Sequence, residues 1–167
     1  VFLLILRLFL AAIFLMAGIG KLLDLKGSEK AIKDFGVPEV FAKPLGIILP
    51  LVEISLAILL LFVETSWFGA IGATILLLMF IGGMLWQMKQ GNAPDCHCFG
   101  QIHSEPVSVK SLVRNIIFVG LAFALVIVGR ENQGISLLDS SNNLNDFMLI
   151  VFGLIFIGFF IIFLNYL

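Results

Sequence analysis

The sequence predicts an all-α membrane protein, in which a four-helix transmembrane bundle is followed by a fifth C-terminal transmembrane helix. Its 167 residues are 60% hydrophobic and 13% charged, with a mean hydropathy of +1.14. This composition is far more apolar than that of a soluble domain. Five apolar segments are each close to the roughly 20 residues that a helix needs to cross the hydrocarbon core. None alternates apolar and polar residues as a barrel strand does, so the spans are predicted to be helices.

The predicted spans are residues 1–23, 45–63, 68–86, 107–129 and 147–167. They divide the chain into a four-helix membrane domain (1–129), a polar loop (130–146) and an additional transmembrane helix (147–167). The first span lacks a small-residue cleavage site and continues into Lys21 and Asp24, so we interpret it as a retained helix and not as a signal peptide. Because the sequence starts at Val1 and stops inside an apolar run at Leu167, we expect either end to be cropped relative to the gene product.

A short amphipathic helix is predicted between the first two spans. Ser28 is a suitable N-cap, and Gly36 suits the C-terminal end. Ala31, Ile32 and Phe35 share one face. We expect this helix to lie at the membrane surface, either as a simple connector or as a lid over a site.

Charge distribution bears on partners and on orientation. The formal net charge is -1 and no basic run appears, which argues against a nucleic-acid partner. Lys26, Lys30, Lys33 and Lys43 lie in the first loop, Lys89 and Lys110 flank the third, and Arg130 stands on the opposite side. Positive charge in short loops favours the cytoplasm, so this count predicts that the third loop is cytoplasmic.

The third loop carries the only two cysteines of the chain, Cys96 and Cys98, in the stretch DCHCFG. A disulfide between residues this close departs from relaxed geometry and is easily reduced, which suits exchange better than structural stabilisation. Nearby basic side chains are His97, His103, Lys110 and Arg114. An electropositive setting at a helix start raises the thiolate fraction, so we predict that the two cysteines form a catalytic redox pair.

Two other interpretations of the thiol loop stay open. The pair could be inert. Alternatively, Cys96, His97, Cys98 and His103 could together bind copper(I), zinc or mercury, although neighbouring residues in a Cys-His-Cys run seldom all point at one ion. Metal transport would need ligands along the spans, where Glu53, Met79 and Met84 are the candidates. We therefore assign no metal ligand.

Ionisable residues inside the spans are costly and tend to be paired. Arg7 and Glu53 are the clearest cases, and we predict that they face the bundle interior and interact. Snorkelling to the interface is the alternative for Arg7. Pro50 removes a backbone donor and is expected to leave a carbonyl free near Glu53. Lys21 and Arg114 lie close to helix ends and are predicted to be interfacial.

Six pieces of the chain occur in a characteristic order. They are Arg7, AGIGKLLDL at 17–25, GVP at 36–38, LPLVE at 49–53, CHCFG at 96–100 and RN at 114–115. Over about residues 1–129, these pieces resemble the MauE branch of the DoxX-like membrane proteins, which is known for methylamine utilisation and for redox-associated members. The fifth span departs from the four-helix pattern of that branch, so we expect it to anchor a further domain or to dock on a partner.

The resemblance implies a four-helix membrane bundle associated with disulfide chemistry of extracytoplasmic proteins, often beside thioredoxin-like partners. It implies that Cys96 and Cys98 are the redox pair. It also implies that four residues are polar positions of the bundle, namely Arg7, Lys21, Glu53 and Arg114. The cysteine loop would then lie on the outer face, against the lysine count.

The leading hypothesis is a multi-pass protein of a prokaryotic inner membrane that exchanges disulfides with a thioredoxin-like or other extracytoplasmic partner. Whether the chain is itself a thiol–disulfide oxidoreductase or an accessory to one stays open. A membrane quinone is a candidate electron acceptor, although no sequence feature marks a quinone site. The alternatives are a non-catalytic subunit of a larger membrane complex and a protein that binds or transports a metal ion.

Overall fold

A computed structural model of the chain describes residues 2–91, 95–96 and 105–130, together with positions 151, 153 and 158. The elements in chain order are α1 (Phe2–Leu23), α2 (Leu25–Asp34), α3 (Glu39–Leu61), α4 (Ser66–Lys89), β1 (Asp95–Cys96), β2 (Glu105–Pro106) and α5 (Val109–Gly129).

Within these residues, α1, α3, α4 and α5 are each long and apolar enough to cross a membrane. The predicted all-α bundle is therefore confirmed. The largest difference in bounds is at α3, which begins at Glu39 and not at position 45. Its first turns contain Glu39, Lys43 and Pro44, which lower the local hydropathy. A start predicted from hydropathy alone was therefore too late.

The four long helices form a closed bundle. The α1 helix packs mainly on α3, α4 packs on both α3 and α5, and α5 returns to α1. Side chains from all four helices meet in one apolar core, which includes Leu10, Phe14, Ala57, Leu60, Ala73, Phe118 and Leu125. Consecutive long helices run in opposite directions, as in an up-down-up-down bundle. The start of α1 (Arg7) and the start of α4 (Gly69) both lie against the end of α3 (Leu60). Trp67, near the start of α4, donates to the Val126 carbonyl near the end of α5.

Glycines bring two helix pairs into close contact. A Cβ atom at Gly18 of α1 would lie 2.9 Å from the Pro50 carbonyl oxygen and 2.7 Å from Ile54 Cγ1 of α3. A Cβ atom at Gly69 of α4 would lie 3.0 Å from the Leu60 backbone nitrogen of α3. Because small residues are what let helices approach this closely in a membrane, these positions set the spacing on both sides of α3.

The short α2 helix folds back over the end of α1. Asp24 is its N-cap, because its Oδ1 accepts a hydrogen bond from the Gly27 backbone N–H at 3.0 Å. The predicted N-cap, Ser28, instead lies within the helix, where its Oγ donates to the Lys21 carbonyl at 3.1 Å. Ser28 and Ala31 are buried and α2 packs on α3, so this helix forms a roof over one end of the bundle.

The same end of the bundle carries a small hairpin that the sequence analysis did not predict. Strands β1 and β2 pair antiparallel, with Asp95 opposite Pro106 and Cys96 opposite Glu105. Ser108 then caps α5, in a capping box with Ser111. The α2 helix and this hairpin thus lie at the same end of the bundle.

Several predicted segments lie outside the described residues. They include nearly all of the predicted polar loop and most of the predicted fifth span, of which positions 151, 153 and 158 are helical. A Cβ atom at Gly153 would lie 3.0 Å from Ile5 Cδ1, so this position lies against α1. The fifth transmembrane helix, and the division of the chain into a four-helix domain, a polar loop and an added helix, stay predictions.

Candidate functional site

Four of the buried polar side chains in the described part of the chain are grouped around Glu53 and are called the interior polar cluster. They are Lys21 of α1, Glu53 of α3, and Arg114 and Asn115 of α5, with exposed fractions of 6%, 1%, 7% and 5%. Burying ionised groups in an apolar environment is costly. We therefore expect the charged side chains of this cluster to have a structural or functional role.

Lys21 and Glu53 form the ion pair at the centre of the cluster. Lys21 Nζ donates to Glu53 Oε1 at 2.6 Å and to Oε2 at 2.8 Å, and it lies 5.7 Å from the centre of the Phe80 ring. The predicted partner of Glu53 was Arg7, and that prediction is wrong. The predicted interfacial position of Lys21 is also wrong, because α2 folds back over the end of α1 and covers it.

Arg114 and Asn115 approach Glu53 from α5. Together with Glu53 and Phe80, they line a cavity of about 30 Å³. Asn115 Nδ2 donates to the Ser111 carbonyl at 2.8 Å. The prediction that Arg114 is interfacial is wrong, because it lies beyond the first turn of α5 on the face that packs into the bundle. The cavity is large enough to hold a water molecule, and three polar side chains contribute to its mostly apolar wall.

Arg7 lies at the other end of the bundle and has a separate role. Its Nε donates to the Leu60 carbonyl at 3.1 Å, and its Nη2 donates to the Leu61 carbonyl at 2.8 Å. Leu60 and Leu61 are the last residues of α3. Carbonyls at the end of a helix accept no hydrogen bond from a backbone N–H of the same helix. The predicted interior position of Arg7 is confirmed at 2% exposure, and the guanidinium stabilises a helix end.

A larger cavity lies between α2, α3 and α4 and is called the lipid-side cavity. It has a volume of about 240 Å³ and an almost entirely apolar wall, which includes Lys21, Ile32, Phe35, Leu49, Phe80 and Gly83. Leu45 and Met79 also line it and are exposed on the outer surface of α3 and α4. In a membrane, that outer surface contacts lipid.

Pro50 also lines this cavity, and α3 continues through it as a helix. Because proline has no N–H, the carbonyl that loses its usual donor is that of Gly46, one turn earlier. The free carbonyl was predicted to lie near Glu53. It belongs instead to Gly46, which lies on the wall of the lipid-side cavity.

The predicted redox pair is only partly within the described residues. The Cys96 backbone lies in β1, which is close to α2, while Cys98, His97 and His103 fall outside the described ranges. Lys110 is half-buried in the first turn of α5. The assignment of Cys96 and Cys98 as a redox pair therefore stays a prediction.

One apolar cluster links the hairpin to the lipid-side cavity. Val107, which directly follows β2, is buried in one cluster with Met84, and Phe35 packs against this cluster. Met84 and Phe35 also line the cavity. As for the metal alternative, residues 2–91 and 107–130 contain no group of three His, Cys, Asp or Glu side chains that could hold an ion.

An exposed ion-pair network lies on the outer face of α2. Lys33 Nζ lies 2.7 Å from Glu39 Oε1 and 2.9 Å from Glu29 Oε1. The hydrogen bond to Glu39, and to a smaller extent the one to Glu29, raises the pKa of Lys33 above its ordinary value. Exposed pairs contribute little to stability, so this network is a useful reference for the buried pair.

Comparison with known proteins identifies the family. A family model described as "Methylamine utilisation protein MauE" matches residues 1–128. The chain belongs to the MauE family. A curated relative, the methylamine utilization protein MauE of Paracoccus denitrificans, is 30% identical over 122 residues, which cover 72% of this chain and 66% of the relative. The chain thus spans about two thirds of the length of that relative. No solved structure matches the chain.

The match to the MauE family covers α1, α3, α4, all but the last residue of α5, and every member of the interior polar cluster. The pairing of Lys21 with Glu53 was not predicted from the sequence, although a signal for it was present. Two opposite charges in neighbouring apolar spans can neutralise each other. Burying them as a pair costs less free energy than burying either charge without a partner. Asn115, a second polar residue next to Arg114 inside an apolar span, gave a similar signal.

Proposed function

We propose that this protein is a membrane-embedded thiol–disulfide redox protein that uses Cys96 and Cys98 to exchange disulfides with a thioredoxin-like or other extracytoplasmic protein. The family description and the name of the Paracoccus relative both refer to methylamine utilisation, so we propose that the exchange serves that process. The membrane is proposed to be the inner membrane of a prokaryotic cell.

The hairpin is the observation that carries this proposal. Its register holds the Cys96 backbone opposite Glu105, three positions before the N-cap residue Ser108. The start of the Cys-His-Cys run is therefore tied, through Glu105, to a position three residues before the N-terminal end of α5. Because a helix N-terminus carries partial positive charge, it favours a thiolate over a thiol nearby. The thiolate is the form that attacks a disulfide.

The proposed exchange has two steps. One thiolate attacks a disulfide of the partner, so that the partner's S–S bond breaks and a mixed disulfide forms. The second thiolate then attacks the mixed disulfide, which closes the disulfide between Cys96 and Cys98 and releases the partner as a dithiol. Two electrons pass from this chain to the partner, and the same two steps in reverse oxidise the partner.

The proposal predicts that substituting one cysteine traps a partner. With Cys98→Ser, Cys96 cannot be released by a second thiol, and with Cys96→Ser the same holds for Cys98. We expect at least one of these single variants to accumulate a mixed disulfide with a thioredoxin-like protein. The adduct would be measured by non-reducing electrophoresis and mass spectrometry, and it should disappear on addition of a reductant.

The double variant Cys96→Ser/Cys98→Ser is the control, because the chain has no other cysteine. It should form no adduct, and its insertion and thermal unfolding should match those of the wild type. Wild-type redox activity in both single variants would contradict the proposal. Thiols that stay in one oxidation state over the whole range of ambient potentials would contradict it too, and would favour a non-catalytic subunit.

A further inference from the structure

We propose that Phe35, the C-cap residue of α2, is a positioning residue for the thiol pair. Its ring packs against the buried cluster that fixes the end of strand β2, and β2 in turn fixes the backbone of Cys96. This inference rests on the proposed function, since the position of Cys96 matters only if the pair exchanges disulfides. Phe35 acts here through Val107, and the reacting atoms are those of the cysteines.

The ring of Phe35 attaches the end of α2 to α4. A Cβ atom at Gly83 would lie 3.5 Å from Phe35 Cδ1 and 3.7 Å from Phe35 Cε1, so the ring lies directly on α4 at this glycine. One turn further along α4, Gln87 Nε2 donates to the Asp34 carbonyl at 3.3 Å. An apolar contact and a hydrogen bond therefore hold the same end of α2 on α4.

Val107 is the point at which this attachment reaches the hairpin. Val107 and Met84 are 5% and 1% exposed and form one buried cluster, against which Phe35 packs. Val107 directly follows β2 and directly precedes Ser108, the N-cap of α5. A buried side chain at this position fixes the backbone between the hairpin and α5, because the cluster packs closely only while Val107 stays in place.

The register of the hairpin extends this constraint to the first cysteine. Glu105, two residues before Val107, pairs with Cys96. Strand β1 also contacts α2, the helix that ends at Phe35. The backbone of Cys96 is therefore held both through β2 and through α2, and Phe35 belongs to both connections.

Thiolate attack depends on this placement for two reasons. The partial positive charge of a helix N-terminus acts over about one turn, so it favours a thiolate only while the thiol stays nearby. A disulfide must also approach the thiolate within a narrow range of distance and direction, and a displacement of about 1 Å can cost roughly a hundredfold in rate. A side chain that fixes β2 is therefore expected to change the rate of exchange without taking part in the chemistry.

The test uses the full, reduced chain in lipid nanodiscs, with the small aromatic disulfide dithiobisnitrobenzoate in place of the protein partner. One thiolate attacks this probe and releases one thionitrobenzoate anion. The second thiolate then closes the disulfide between Cys96 and Cys98 and releases the other anion. Absorbance reports both releases.

We expect Phe35→Ala to slow the first release by at least about tenfold, because the cluster loses the ring that packs against Val107. Phe35→Leu keeps a large apolar side chain in the same place and should recover most of the wild-type rate. Val107→Ala removes the anchor itself and should slow the release in the same way. It replaces Phe35→Ala in the test if that protein does not fold.

Phe9→Ala is the matched control, because it deletes the same ring from a different part of the bundle. Phe9 is 5% exposed and packs edge to face on Phe118, with 5.9 Å between the ring centres. Phe35 is only partly buried, so we expect Phe9→Ala to lower the midpoint of unfolding at least as much as Phe35→Ala does. The first release in Phe9→Ala should nevertheless match that of the wild type.

The outcomes separate this inference from the proposed function. An unchanged or faster first release in folded Phe35→Ala and Val107→Ala proteins would overturn the inference. Equal slowing in Phe9→Ala would overturn it too, because the rate would then follow stability alone. In either case, a mixed disulfide trapped by a single-cysteine variant would leave the proposed function standing. If no partner is trapped, slow release in Phe35→Ala would still support Phe35 as the residue that positions the thiols, while the proposed exchange would fail.

Discussion

Lys21 and Glu53 form an ion pair in a part of the bundle that is closed to solvent. Both carboxylate oxygens are bound by one ammonium group, and the exposed fractions are 6% for Lys21 and 1% for Glu53. A buried pair of this kind contributes little net stability compared with an apolar pair of the same size. Each member nevertheless depends strongly on the other. If one is removed, the charge of the other stays buried without water or a counter-charge to stabilise it.

This dependence predicts a large effect of removing one partner. Lys21→Met leaves the Glu53 carboxylate buried without its main counter-charge, and we expect the free energy of unfolding to fall by about 3–5 kcal/mol. Unfolding would be followed by circular dichroism in mixed micelles of increasing denaturant content. Lys21→Met/Glu53→Met, which removes both charges, should recover most of the loss.

Lys33→Met is the comparison for this prediction, since Lys33 binds Glu29 and Glu39 on the exposed face of α2. Solvent screens that network, so we expect no measurable change in unfolding. A Lys21→Met protein as stable as Lys33→Met would show that Glu53 does not depend on Lys21.

At the scale of whole elements, the spacing between α1 and α3 decides whether the ion pair can form. Gly18 lies one turn before Lys21, and a Cβ atom at Gly18 would lie 2.9 Å from the Pro50 carbonyl oxygen and 3.3 Å from Glu53 Cβ. The first of these neighbours is backbone, which cannot move without moving α3. The close approach of the two helices is therefore a requirement of the site.

Gly18→Ala is predicted to push α1 away from α3. Overpacking of a tight helix contact costs about 1–3 kcal/mol, and we expect a loss of this size in the free energy of unfolding. Gly120→Ala in α5 is the matched control, because a Cβ atom there has nothing within 4 Å. That variant should be as stable as the wild type, or slightly more stable. Equal stability of the two variants would mean that α1 and α3 tolerate a wider spacing.

The α2 helix also shows what sequence reasoning can and cannot reach at this scale. Its existence and its apolar face were predicted from Ala31, Ile32 and Phe35, because helical spacing is a local property. Its start was placed too late, since both Asp24 and Ser28 are good N-caps and only the fold selects between them. Its function as a roof over Lys21 depends on a contact with α1 that no local pattern contains.

At the scale of the whole molecule, four alternating spans place α2 and the hairpin at one end of the bundle. The turn between α3 and α4, which contains Glu64, lies at the other end together with Arg130. This arrangement brings the thiol loop and the lysine-rich first loop to the same face of the membrane.

The arrangement predicts the sidedness of labelling. In the Cys96→Ser/Cys98→Ser background, Lys26→Cys and Glu64→Cys should react with a membrane-impermeant maleimide from opposite sides of sealed vesicles. Wild-type Cys96 and Cys98, once reduced, should react from the same side as Lys26→Cys. Labelling of all three sites from one side would contradict the four-span topology. The side on which the cysteines react decides between the lysine count and the family resemblance.

The sequence by itself determined that this protein has four apolar helices around a core, and it marked Arg7 and Glu53 as interior positions. Both conclusions follow from a local requirement, since hydrocarbon excludes unsatisfied backbone and isolated charge wherever they occur along the chain. The tertiary structure decided the partners, which are Lys21 for Glu53 and the Leu60 and Leu61 carbonyls for Arg7. It also decided that α2 covers Lys21 and that α2, α3 and α4 enclose an apolar cavity. These features depend on which helices are neighbours and how closely they pack, and a single segment of sequence does not specify that.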